Sequence, residues 1–240
     1  MSGFLEIKKD FKALANKEQA KILSRFFKTG PGQYGEGDVF LGVKVPVQRK
    51  LAKKYADLEI EEINELLQSP IHEYRLTALF ILIGKFGKVT LPERKKIFEF
   101  YLKNAQRINN WDLVDLSAPN IVGKYLLDKK EKEIKILDKL VVSHNLWERR
   151  IAILATFEFI RAGRSDVTSR LALKLLKDKE DLIHKAVGWM LREVGKRIDE
   201  KTLEEFLLPR YQSMPRTMLR YAIERLPETK RKGFLRGEAG

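Results

Sequence analysis

Leu182-Ile183-His184-Lys185-Ala186-Val187-Gly188 reads as the opening of a helix, and three other stretches align with it. They are Ile71-His72-Glu73-Tyr74-Arg75-Leu76-Thr77-Ala78, Leu146-Trp147-Glu148-Arg149-Arg150-Ile151-Ala152 and Met214-Pro215-Arg216-Thr217-Met218-Leu219. The period is roughly 35 to 40 residues, the range of helical-pair repeats, with the stretch from Trp111 occupying the slot between the first two. A unit of two antiparallel helices cannot bury its apolar face alone, so such units stack on a shared core. The expectation is an all-α chain, an α-solenoid of HEAT-like helix pairs with a concave basic groove.

The rest of the chain is consistent with that reading. Helical periodicity is expected over 16–27, 47–55, 60–67, 70–86, 92–103, 111–129, 131–142, 146–162, 165–176, 182–198, 202–208 and 214–225. The first of these stops before Thr29-Gly30-Pro31-Gly32. The glycines that follow lack the closing Gly-Lys-Ser/Thr of a P-loop and read as a plain turn. Val39-Phe40-Leu41-Gly42-Val43-Lys44-Val45 is short, has no partner strand nearby, and is expected to be a connector packed on the first helices. No interdomain linker is visible, so residues 1–240 read as one domain, with 1–45 as N-terminal helices and connector.

Composition narrows the function. Of 240 residues, 47 are Lys or Arg and 33 Asp or Glu, a formal net charge of +14. Such a surplus suits a polyanion, nucleic acid before an anionic membrane surface. There is no Cys and only three His, which rules out thiolate chemistry and offers no metal-ligand spacing. No run of roughly 18 apolar residues exists, and a soluble cytoplasmic protein is expected.

The repeat register singles out specific residues. About one turn into each second helix stands a cation: Arg75, Arg150 with Arg149 beside it, Lys185, and Arg216 or Arg220. A cation there opposes the helix dipole by roughly 0.3 to 1 kcal/mol, so helix stability does not explain it. A ridge of phosphate contacts would, although any one of these side chains could equally be a solvated helix end.

Asn109-Asn110-Trp111-Asp112-Leu113-Val114-Asp115 breaks the register, with Asp115 in the slot that other repeats fill with cations. Trp111 and Asp115 are four residues apart and share a helix face if an Asn caps the helix. Asp112 suits a first turn. Asp115 lies past it; a plain reading is an ion pair with an Arg of a neighbouring repeat. Pro119 cannot donate to the Asp115 carbonyl, so the helix should bend or open there. Trp111 and Trp189 offer flat faces to cationic or electron-poor rings, with core packing the alternative for each. Trp147 reads as structural.

Together these elements resemble the HEAT-like-repeat DNA glycosylases of the AlkD type. The resemblance rests on the 39–46 segment, on Asn110-Trp111-Asp112-Leu113-Val114-Asp115, on Leu146 to Ile153, and on Lys185-Ala186-Val187-Gly188-Trp189-Met190-Leu191-Arg192-Glu193. It implies that Asp115 is the catalytic carboxylate, that Trp111 and Trp189 flank the lesion-bearing nucleotide, and that Arg150, or its neighbour Arg149, holds the adjacent backbone. The implied activity is removal of cationic alkylpurines, 7-methylguanine and 3-methyladenine, from double-stranded DNA by a monomer, without enclosing the base. No metal or cofactor is implied. A noncatalytic DNA-binding protein selecting branched or distorted DNA is the alternative.

Overall fold

A computed structural model describes residues 3–239, and among these residues the fold is all-helical. By contact density the chain separates into two compact units, Met1–Leu113 and Val114–Gly240. The division falls inside one helix.

The first unit begins with α1 (Gly3–Ala13) and α2 (Lys17–Phe26) and continues with α3 (Val45–Lys54), α4 (Ile60–Leu67), α5 (His72–Phe86) and α6 (Leu91–Lys103). α1 packs on α4, and α3, α4 and α6 each pack on α5. α5 is accordingly buried nearly all round, as expected of a helix covered on several sides. Pro92 sits in the first turn of α6, where its missing N–H costs nothing, and Thr90 with Glu93 forms a capping box.

The 39–45 connector is held by backbone chemistry rather than by strand pairing. Val39 forms a single parallel bridge with Ile71. The N–H groups of Leu41, Gly42 and Val43 all donate to the carboxylate of Glu73, which is completely buried. A buried carboxylate is tolerable only when it is bonded this fully. Gly42 has φ +83°, and a Cβ there would stand 2.0 Å from the Asn16 carbonyl oxygen, so no other residue fits.

α7 (Trp111–Ala118) crosses the division and runs into a π-helical segment, Pro119–Gly123, and a short α8 (Lys124–Leu126). Here the expected single helix over 111–129 differs in its winding. Pro119 cannot bond to the Asp115 carbonyl, and the chain widens into a π turn instead of breaking. The side-chain amide of Asn120 donates to the Leu116 carbonyl at 2.8 Å, satisfying one of the loosened groups.

The second unit continues with α9 (Glu131–Ile134), α10 (Ile136–Leu140), α11 (Leu146–Ala155), α12 (Phe157–Arg161), α13 (Asp166–Leu175), α14 (Asp181–Arg197), α15 (Glu200–Leu207), α16 (Arg216–Ala222) and α17 (Glu228–Arg236). α11, α13, α15 and α16 pack on α14, and α11 and α12 pack on the π segment. Gly188 lets α16 approach α14, since a Cβ there would lie 2.4 Å from the Met218 carbonyl oxygen. The expected helices over 131–142 and 146–162 are each divided in two, at Lys135 and at Thr156. α1 falls within the N-terminal helices expected over 1–45, and α17 lies beyond the last helix expected.

Candidate active site

Asp115 lies in the second half of α7 and belongs to the second unit. Arg150, in the second turn of α11, donates through Nε to Oδ1 at 2.8 Å and through Nη2 to Oδ2 at 2.9 Å. Its remaining Nη1 donates to the Leu182 carbonyl. This is the two-pronged geometry that suits guanidinium and carboxylate, and it fixes the plane of the Asp115 carboxyl. The arginine side chain is 5% exposed and the aspartate side chain 19%, so the pair presents its carboxylate to solvent and hides its cation.

Asp115 opens onto a cleft of about 230 Å³, lined also by Leu116, Pro119, Asn120, Leu154, Phe157, Glu158, Arg161 and Trp189. The half-buried Trp189 lies with its ring centroid 6.2 Å from that of Phe157. Two guanidinium groups lie over Phe157, those of Arg161 at 4.6 Å and Arg197 at 5.0 Å. Arg161 also donates to Glu158 at 2.9 Å. The cleft therefore joins an oriented carboxylate to an aromatic wall and a half-exposed cation. Phe157, Glu158 and Arg161 escaped the sequence reading because they lie past the aligned helix openings, although Phe157 and Arg161 are a visible i,i+4 pair.

In the first unit, Trp111 packs among aromatic side chains. Its ring stacks on Phe27 at 5.3 Å, meets Phe26 edge-on at 5.8 Å, and its Nε1 donates to the Tyr34 hydroxyl at 3.1 Å. Asn110 accepts from the Trp111 backbone N–H at 2.8 Å, so Asn110 rather than Asn109 is the residue that serves the helix start. Trp147 is buried.

The structure places the row of cations in unlike surroundings. Arg75 is 1% exposed and donates to Asp38 at 2.6 Å and to the Ser69 carbonyl at 3.0 Å, so its guanidinium is enclosed and cannot meet a phosphate. Arg150 is likewise enclosed, its three donor nitrogens committed to Asp115 and Leu182. Arg149 is bonded to Asp178 at 2.7 Å and to the Ser143 carbonyl at 2.9 Å. Lys185 is paired with Asp181 at 2.7 Å yet remains 40% exposed. Arg216 and Arg220 are exposed, Arg216 with one bond to the Leu235 carbonyl. The spacing that aligned these residues is real; their burial follows from neighbouring carboxylates that lie far away in sequence.

An all-helical chain with this arrangement has parallels among solved structures. A structure described as a predicted DNA alkylation repair enzyme from Enterococcus faecalis is similar, with a TM-score of 0.67 at 19% identity over 89% of this chain and 97% of that one. AlkD2 from Streptococcus mutans is similar with a TM-score of 0.53 at 19% identity, over 92% and 96%. A third likeness, smu.31 from Streptococcus mutans UA159, has a TM-score of 0.51 at 19% identity over 91% and 94%. Identities this low speak to the fold alone. Among proteins with curated descriptions, none matches the chain. The profile of the family described as DNA alkylation repair enzyme matches residues 7–226, and the chain belongs to that family. Among the described residues, no helix is long and apolar enough to cross a membrane.

Proposed function

We propose that this protein is a monofunctional DNA glycosylase that hydrolyses the N-glycosidic bond of cationic N-alkylpurines, 7-methylguanine and 3-methyladenine, in duplex DNA. The observation that carries the reading is the Asp115 carboxylate, fixed by Arg150 and facing a cleft walled by Trp189 and Phe157. A purine that already bears a positive charge leaves without a general acid. The C1′–N bond breaks, its electron pair neutralises the base, and positive charge gathers on the sugar. A preorganised carboxylate stabilises that charge, and water then adds to C1′ and releases a proton. The Arg150 fork occupies two of the roughly four acceptor positions of the carboxylate and holds the group as a dipole with its negative end outward. Trp189 supplies an aromatic face of the cleft for a cationic nucleotide, and Trp111, in the first unit, is proposed as a further nucleotide contact. An open cleft, unlike an enclosing pocket, suits a base that is not taken wholly inside. Lys185, Arg216 and Arg220 are the cations of the repeat register that retain access to a DNA backbone.

The same ion pair favours a second reading. An aspartate so fully engaged by arginine also suits a noncatalytic protein that binds branched or distorted DNA. The two separate on one experiment: a duplex carrying a single 7-methylguanine is incubated with the protein and probed for alkali-cleavable abasic sites. Release above the spontaneous rate supports the glycosylase. Release at the spontaneous rate, with binding to a four-way junction intact, supports the alternative.

A further inference from the structure

The first unit holds a buried group of charges that the proposed reaction does not use. His72, at the start of α5 and 2% exposed, is bonded through Nδ1 to Asp38 Oδ2 at 3.0 Å and through Nε2 to Asp112 Oδ2 at 2.8 Å. Asp38 also accepts from Arg75 at 2.6 Å and from the Asn110 side chain at 3.2 Å, which fixes it as a carboxylate. Ionised carboxylates only accept, so both ring nitrogens of His72 must donate and the ring is an imidazolium. The rings of Phe27 and Phe40 each lie 4.8 Å from it, centroid to centroid.

Three paths out of this group lead to Trp111. Phe27, against the imidazolium, stacks on the indole at 5.3 Å with an interplanar angle of 26°. Asn110, bonded to Asp38, receives the Trp111 backbone N–H. Asp112, bonded to His72, is the next residue along the helix and accepts from the Leu113 N–H at 2.9 Å. We propose that the charged form of His72 is a positioning residue for Trp111, holding the indole at the angle from which it meets the lesion-bearing nucleotide. The inference rests on the reading of Trp111 as a lesion contact.

The charged groups facing the ring are Asp38 from the connector, Asp112 from α7 and Arg75 from α5 itself. Burial by itself pushes the His72 pKa down; the charge and hydrogen bonds of Asp112 and Asp38 outweigh it and the opposing Arg75, and raise the value to about 9. The lock is therefore closed at neutral pH and opens as pH rises through that value.

The test is made on the full chain. Nitrogen-15 spectra of the three histidine rings, assigned with His72→Gln, are followed from pH 6 to 10 together with tryptophan emission. His72 is expected to be an imidazolium at pH 7.5, with a titration near 9 mirrored by an emission change that disappears in Trp111→Phe. A neutral His72 ring at pH 7.5, or an emission change that survives Trp111→Phe, overturns the inference. Asp112→Asn, which keeps the shape and leaves Asp38 in place, is expected to lower the His72 midpoint; an unchanged midpoint overturns it as well. The same variant should lose on the order of tenfold in preference for 7-methylguanine duplex over undamaged duplex, with an unaltered salt dependence. Retained preference would refute the positioning role. A native protein that excises nothing would sink the glycosylase reading while leaving the ring and emission results standing.

Discussion

Two carboxylate–cation assemblies sit near the starts of helices in this protein, one in each unit, and they are built to opposite ends. Around Asp38, two carboxylates and two cations balance, aromatic rings cover them, and both cations and Asp38 are almost wholly enclosed. Around Asp115, one carboxylate meets one arginine, the cation is hidden, and the anion faces a cleft. An enclosed, fully bonded network confers rigidity on what it touches; an ion pair with one partner left partly in water keeps chemistry available. Under the proposed function, the first supports and the second takes part in the reaction.

The sharpest way to break that contrast is to remove a cation from the enclosed network. Arg75→Ala leaves Asp38 buried beside one cation instead of two, and stability should fall by about 3 to 5 kcal/mol, read from denaturant midpoints. A loss under about 1 kcal/mol would mean that the network is more open than its burial implies.

Next comes the open pair. Asp115→Asn should lower single-turnover excision by about 10² to 10³ while binding to lesion-free duplex is kept. If binding collapses in parallel, the residue supports the fold and not the reaction.

The alkaline limb of stability is the third probe. The folded-state pKa of His72 is raised from 6.5 to about 9, so its contribution is whole below 6.5 and is lost as pH rises through 9. That contribution is on the order of 3 kcal/mol, and His72→Gln should flatten this part of the stability–pH curve. Asp38, whose pKa burial tends to raise but which His72 and Arg75 hold below its ordinary value, acts on the other side. Its contribution is present above about 3.9 and lost as pH falls through the lowered value. The smallest effect is expected at the exposed cations: Arg216→Ala and Arg220→Ala should each reduce the salt slope of DNA binding by about one, with little change in folding.

Much of this fold is legible in the order of residues. The recurring openings at Ile71, Leu146, Leu182 and Met214 foretell the helices because a buried stripe must recur at the helical period. The family follows from the Trp111-to-Asp115 and Ala186-to-Glu193 segments. α1 carries an i,i+4 pair, Ile7 and Phe11, and α17 is faint in the sequence because it buries a single apolar residue, Phe234. The fate of Arg75 was illegible for a different reason. Its exposure depends on Asp38, 37 residues away and outside the repeat register, whereas Arg150 meets Asp115, which stands one repeat before it in the same slot. The pairing of Asp115 with an arginine of a neighbouring repeat follows from the register; in the structure that arginine is Arg150, and Asp115 itself lines the cleft.

The π turn after Pro119 makes the length of this segment as meaningful as its composition. A π segment carries one more residue than an α-helix of the same span, which turns everything after it by about 100°. Ile121, Val122 and Leu126 are buried in that advanced phase. Deleting Asn120 would remove the extra residue and swing those three side chains away from the core, so a loss of one residue here would cost more than many substitutions. Pro119 is thus a counting device: it fixes how many residues separate the acid from the apolar anchor behind it.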